Sequence, residues 1–252
     1  MLEKVIENTI EYIDSKPKKE RKKYGQFFTS IETARYMTEL FDIPKEQDKI
    51  SILDAGAGSG ILSCAMIERL EKIDNVKKVK VFCYETDKNV VPVLQKNMKI
   101  AKELSSKKID FAIKEDNYIL SQSIDFNHTI GGEFNPLKYD IVIGNPPYMK
   151  ISKDAPEAIA MSDICYGAPN MYFLFAAMGL FNLKENGEMV YIIPRSWTSG
   201  AYFKKFRDYF LSEGKLYHIH LFGSRNKVFD RENVLQETII VKVKKTHNTP
   251  KG

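Results

Sequence analysis

Ile50-Ser-Ile-Leu-Asp-Ala-Gly-Ala-Gly-Ser-Gly60 is the stretch that decides how this chain folds. Ile50–Asp54 reads as a short buried strand. The glycines at 56, 58 and 60 stop it, and residues from about 60 to 73 carry a helical pattern. A glycine-rich turn between a strand and a helix opens a βαβ unit. Without Cβ atoms its backbone can pass close to a ligand. The turn lacks the Gly-Lys-Ser/Thr of a phosphate-binding P-loop. Dinucleotide binding and binding of another nucleoside cofactor both remain open at this point.

Working outward, strands and helices keep alternating. Val79–Tyr84, Ile109–Ile113, Tyr139–Ile143, Glu188–Ile193, Leu216–Phe222 and Glu237–Val243 read as further strands. Helical patterns cover residues 2–14, 30–41, about 88–104, about 170–184 and about 200–212. Alternating βα units predict a parallel sheet covered on both faces. The last two strands have no helix between them and predict an antiparallel pair. The expected fold class is therefore α/β, a doubly wound, mostly parallel seven-stranded sheet with an antiparallel edge hairpin. Residues 117–138 and 149–169 read as loops, the second as a mobile lid or substrate-contacting segment. The expected division is an N-terminal helix and basic linker (1–23), a catalytic domain (24–244) and a tail (245–252).

Composition narrows the class. The 252 residues are 43% hydrophobic and 28% charged, as in an ordinary globular chain. No apolar run reaches the roughly 18 residues of a membrane span, and no secretory signal is visible. Cys64, Cys83 and Cys165 share no metal-ligand spacing. Cys64 and Cys83 read as buried thiols in a reducing, cytoplasmic setting. The formal charge of +5 is concentrated at Lys16–Lys23, with six basic residues and one acid. That run reads either as a solvated linker or as a phosphate-contacting patch.

Four places carry chemistry. Asn145-Pro-Pro-Tyr148 follows the apolar run Tyr139–Gly144. Two prolines remove two backbone donors and fix two φ angles. Asn145 adds an acceptor oxygen and Tyr148 a flat ring. Such a turn suits a planar substrate bearing an NH₂ group. The second strand ends at Tyr84-Glu85-Thr86-Asp87, where an acid can take ribose hydroxyls or complement the next helix. The third leads into Glu115-Asp116-Asn117-Tyr118, where Asp116 could accept from an adenine amino group or serve a simple turn. His218 and His220 share a strand face without further ligands nearby, so no metal is expected. Trp197 and Tyr202 either line the target cleft or pack.

These motifs together resemble class I methyltransferases that use S-adenosyl-L-methionine, with a Rossmann-like fold. More narrowly they resemble the γ-type N6-adenine DNA methyltransferases of restriction–modification systems. The resemblance spans roughly residues 22–244. It implies that Asp54, Gly56, Gly58 and Gly60 form the cofactor turn. It makes Glu85, with Thr86 beside it, the ribose contact, and Asp116, with Asn117 and Tyr118, the adenine contact of the cofactor. Tyr24-Gly-Gln-Phe-Phe-Thr29 matches the family's N-terminal motif, implying that Phe27, Phe28 and Thr29 reach the methionine end. Asn145, Pro146 and Tyr148 then become catalytic, and Asn145 also borders the cofactor. Phe229 matches an aromatic that packs on the other face of a flipped adenine. The implied partner is DNA with its target base flipped out. A target-recognition domain usual in the family is expected to be separate or missing.

The same acceptor logic serves N5-glutamine protein methyltransferases and RNA amino-methyltransferases. A silent module that binds cofactor or nucleic acid is a third alternative. The Gly-Gln-Phe-Phe-Thr segment and the Phe229 loop favour DNA adenine.

Overall fold

A computed structural model describes residues 1–17, 19, 28–127, 137–222 and 237–246. Seven described strands form one sheet: β1 (Lys49–Ala55), β2 (Lys78–Tyr84), β3 (Lys108–Lys114), β4 (Tyr139–Gly144), β5 (Leu183–Pro194), β6 (Gly214–Leu221) and β7 (Thr238–Lys245). The order is β3-β2-β1-β4-β5-β7-β6. Strands β1 to β5 pair in parallel, and β7 is antiparallel to both β5 and β6. The expected doubly wound sheet is thus what forms. The last pair is antiparallel as expected, with β7 turned inward and β6 left at the edge.

Local sequence explains these positions. β4 is buried at five of its six residues, as a central parallel strand must be. β6 alternates between exposed and half-covered residues, as an edge strand with one packed face does.

Helices α1 (Leu2–Ser15), α2 (Ile31–Glu39), α3 (Ile61–Glu71) and α4 (Val91–Leu104) share one apolar cluster with Ile52, Ile143, Val190 and Ile192 of the sheet. Helices α5 (Tyr118–Phe126), α7 (Met171–Phe181) and α8 (Lys204–Glu213) share the other with Leu53, Val142, Tyr191 and Ile193. Short helix α6 (Pro156–Ala160) lies in the segment between β4 and α7. Every residue of α7 is buried, which its unbroken apolar sequence requires.

Two loop expectations need correction. Residues 118–126 are helical, not loop. Asn117 caps that helix, its Oδ1 accepting from Leu120 N at 3.2 Å. A helix hidden between a cap and a polar tail left little periodicity to read. Segment 149–169 is not loop throughout: it holds α6 and a short 3-10 turn at Ser162–Ile164. Its ends are tied by Ile151 N to Pro169 O and Met171 N to Met149 O, both 2.8 Å. It buries Ala158, Met161, Ile164 and Cys165, and its helical parts pack on α5 and α8.

From β1 the chain winds outward to β3 and then crosses back to β4 on the other side of β1. The crevice beyond the carboxyl ends of β1 and β4 is the switch point, where open α/β sheets bind ligands.

Candidate functional site

The glycine turn is built from the end of β1. Gly56, Gly58 and Gly60 all have positive φ, +73°, +55° and +81°, a region that costs other residues roughly 1–2 kcal/mol. Gly56 N and Ala57 N both donate to Tyr84 O at 2.9 Å, and Gly60 N donates to Ala57 O at 2.8 Å. Gly58 N donates to Glu85 Oε2 at 2.8 Å, while Glu85 Oε1 accepts from Asp87 N at 2.8 Å. The turn of β1 is therefore stitched to the end of β2. The amides of Gly56, Ala57, Gly58 and Gly60 all have internal acceptors. Glu85 and Asp87 stand beside the turn, and an acid at this place suits the hydroxyls of a nucleoside ligand.

Buried groups in the turn carry unusual electrostatics. Burial pushes the Asp54 carboxyl up to about 7, against the hydrogen bonds from Ser63 that pull it down. Ser63 Oγ donates to Asp54 Oδ2 at 2.6 Å, and Asp54 Oδ1 has no partner among the described residues. The Ser59 hydroxyl is likewise buried without a partner among them. Burial also raises the Glu85 carboxyl, against the backbone N–H groups that hold its charged form.

The acceptor turn meets this cradle directly. A Cβ built on Gly56 would lie 3.7 Å from Pro147 Cδ and 3.5 Å from Phe175 Cε1. Asn145 Nδ2 donates to Thr29 Oγ1 at 3.3 Å, and Asn145 Oδ1 accepts from the Tyr148 hydroxyl at 2.8 Å. The same hydroxyl lies 2.9 Å from Ile192 O, a second acceptor. Tyr148 packs edge-on to Tyr172, ring centroids 6.4 Å apart, and burial raises its phenol well above its ordinary range. The amide is thus oriented from both ends.

The remaining expected site residues divide. Phe28 lies over the glycine turn, 3.9 Å from where a Cβ on Gly58 would be. Thr29 is buried beside Asn145, and Pro146 is buried. Thr86 and Asp116 are exposed at the ends of β2 and β3. Asn117 is used structurally, also donating to Glu157 Oε1 at 2.6 Å. Tyr118 needs correction as a side-chain contact: it is 2% exposed, and its hydroxyl donates to Asn182 Oδ1 at 2.7 Å. Asp54 is 1% exposed, so it supports the turn from beneath instead of facing a ligand. Phe27 and Phe229 lie outside the described residues, as does most of the basic stretch at 16–23.

Trp197 and Tyr202 pack. Trp197 is buried edge-on against Phe206 and Phe210, and the Tyr202 hydroxyl donates to Ala168 O. His218 Nε2 and His220 Nδ1 lie 3.1 and 3.0 Å from the Tyr36 hydroxyl. Among the described residues no group of three or more potential metal ligands occurs, and no helix is long and apolar enough to cross a membrane. Pro147 and Phe175 escaped the site reading. Both stood inside recognisable motifs, yet only the fold shows them touching the glycine turn.

Comparison with known proteins fits this geometry. The family described as Eco57I restriction-modification methylase matches residues 66–229. The chain is 33% identical over 223 residues to the Type II methyltransferase M.PstI of Providencia stuartii, covering 87% of this chain and 43% of that protein. It is 32% identical over 233 residues to M.BsuBI of Bacillus subtilis, covering 90% and 45%. The chain therefore spans less than half the length of these curated relatives. Its fold matches the type I restriction-modification methyltransferase subunit of Streptococcus thermophilus with a TM-score of 0.63. That match has 22% identity and covers 87% of this chain and 45% of that one.

Proposed function

The chain belongs to the Eco57I restriction-modification methylase family, and from that premise we propose that it transfers the methyl group of S-adenosylmethionine to the N6 amino group of adenine in DNA. The observation that carries this reading is the contact between the two turns. Pro147 of the acceptor turn abuts Gly56 of the glycine turn, so a methyl donor in one sits beside an acceptor in the other.

Gly56, Gly58, Glu85, Phe28 and Asp116 hold the cofactor, with the glycines allowing close approach and Glu85 taking the ribose. When bound, the cofactor supplies an electrophilic sulfonium methyl. The chain's own residues do the rest. The adenine amino nitrogen is a weak nucleophile because its lone pair is delocalised into the ring. Asn145 Oδ1 and the Pro146 carbonyl accept its two hydrogens, favour a pyramidal nitrogen and stabilise the positive charge that develops there. Thr29 and Tyr148 hold the Asn145 amide from both ends, which supplies the positioning. The Tyr148 hydroxyl donates to Asn145 Oδ1 and turns to donate to Ile192 O as the substrate N–H arrives, so Asn145 Oδ1 and the hydroxyl each keep a partner. The Tyr148 ring stacks on the flipped base, with Phe229 on its other side. A strong general base is unnecessary, because the methylated amine becomes acidic and loses its proton afterwards.

The test offers labelled S-adenosylmethionine with duplex DNA, RNA or a glutamine-bearing protein. Label in adenine of DNA is expected. Label only in protein or only in RNA would overturn the reading. Recognition of a particular DNA sequence belongs to the same proposal. So does action in the cytoplasm.

A further inference from the structure

Asn97 is a wholly buried amide in the middle of α4, 0% exposed, on the face that also carries Leu94, Met98 and Ala101. Placing an amide there costs free energy unless its atoms are bonded. Its Nδ2 donates to Ser59 O at 2.9 Å and to Thr9 Oγ1 at 3.3 Å, and its Oδ1 accepts from Asn8 Nδ2 at 3.2 Å. Ser59 is the residue between Gly58 and Gly60. One side chain therefore joins the glycine turn to two residues of α1.

One helical turn further along α1, a second route reaches the same turn. Tyr12 meets Phe28 edge-to-face, centroids 6.1 Å apart at 72°, and Phe28 Cε1 covers Gly58. The turn is thus held from beneath by Asn97 and roofed by Tyr12 and Phe28. Both contacts involve α1, which also packs on α3 and α4 and pairs Glu3 with Arg35 of α2.

We propose that α1 is a clamp on the cofactor turn, with Asn97 and Tyr12 as positioning residues that set cofactor affinity. This rests on the cofactor assigned above. Asn97 fixes the Ser59 carbonyl, and with it the backbone that approaches the ligand between two left-handed glycines. Tyr12 fixes the ring of Phe28 over that backbone. Neither residue touches a reacting atom.

The test titrates S-adenosylmethionine calorimetrically into the intact chain and its Asn97→Ala, Tyr12→Leu and Tyr12→Phe variants, with thermal melts of each without ligand. Freeing the Ser59 carbonyl from Asn97, or losing one ring contact, predicts roughly five- to tenfold weaker binding for Asn97→Ala and Tyr12→Leu. Tyr12→Phe keeps the ring and is expected to bind like the parent. Unchanged affinity in folded Tyr12→Leu, or equal loss in Tyr12→Phe and Tyr12→Leu, would overturn the clamp. If Asn97→Ala does not fold, the Tyr12 pair decides alone. Failure of the parent chain to bind the cofactor would instead sink the functional reading, a distinguishable result.

Discussion

Replacing Asp54 by asparagine is expected to make the protein more stable at pH 8 and to flatten part of its pH dependence. The carboxyl is buried, with one oxygen on Ser63 and the other without a partner among the described residues. Burial raises its pKa from 3.8 to about 7. The folded state therefore holds a proton that the unfolded chain has already released. Stability from this group is greatest below about pH 4. It falls as pH rises towards 7, and stays low above that. At 1.36 kcal/mol per pKa unit the full swing is about 4 kcal/mol. Asparagine removes the charge but brings an NH₂ to the place of the unpartnered oxygen, a cost of roughly 1–3 kcal/mol. The net gain at pH 8 is then about 1–3 kcal/mol, or roughly 2–12 °C in Tm for a chain of this size. Thermal melts of both proteins from pH 4 to pH 8 provide the measurement, read as the difference between the two curves. Shifts at Glu85, Glu188 and Asp140 are common to both and largely cancel. A difference that stays flat across that range, or an Asp54→Asn variant less stable than its parent at pH 8, would refute the reasoning.

Further outcomes follow from the same contacts. Asn145→Ala should bind S-adenosylmethionine normally yet lose roughly 100-fold or more in methyl transfer, because it removes an acceptor used as charge develops; calorimetry beside a transfer assay separates the two. Tyr148→Phe keeps the ring but frees Asn145 Oδ1 and Ile192 O of a shared donor, so a loss of about 1–2 kcal/mol in stability is expected on denaturant titration. Glu85→Ala leaves Gly58 N and Asp87 N without their acceptor and removes the ribose contact. Cofactor binding undetectable at millimolar concentration is expected by calorimetry, and retained affinity would exclude Glu85 as the ribose acid. Tyr191→Phe deletes a buried hydroxyl without a partner among the described residues, so melts should show unchanged or slightly higher stability.

Much of this was legible in the sequence because period and punctuation agreed. The apolar run Ile141–Ile143 of β4, the glycines after β1 and the two prolines after β4 each have one structural meaning. What was not legible depended on pairing. Helix α5 was hidden because its start signal, Asn117, looked like a ligand contact, and its Tyr118 looked like part of a site. Only the fold shows that hydroxyl turned inward onto Asn182. Asn97 gave a weak local signal, a polar residue on an apolar helical face, but nothing nearby in sequence says that its partners are 38 and 88 residues away. Phe175 lay in an apolar helix where any ring would fit, and its contact with Gly56 comes from the crossing of α7 behind β4.

The two turns also divide the chemistry in a way that neither could manage alone. The glycine turn uses the amides of Gly56, Ala57, Gly58 and Gly60 on itself and has Glu85 beside it, an acid that suits a hydroxyl-bearing, cationic ligand. The acceptor turn has few donors, since Pro146 and Pro147 lack N–H groups, and offers neutral oxygens to an amino group. A charged base in that position would compete for the cation in the adjoining turn and would need to be desolvated beside it. A neutral amide avoids both problems, provided something holds its oxygen in place before substrate arrives. Tyr148 can do this because Ile192 O stands ready, 2.9 Å away, to take the hydroxyl when the oxygen is needed. If that exchange is real, Tyr148→Phe should raise KM for the nucleic acid and lower kcat together, while leaving cofactor affinity unchanged. A variant with lower stability but parental kinetics would show that the hydroxyl only packs.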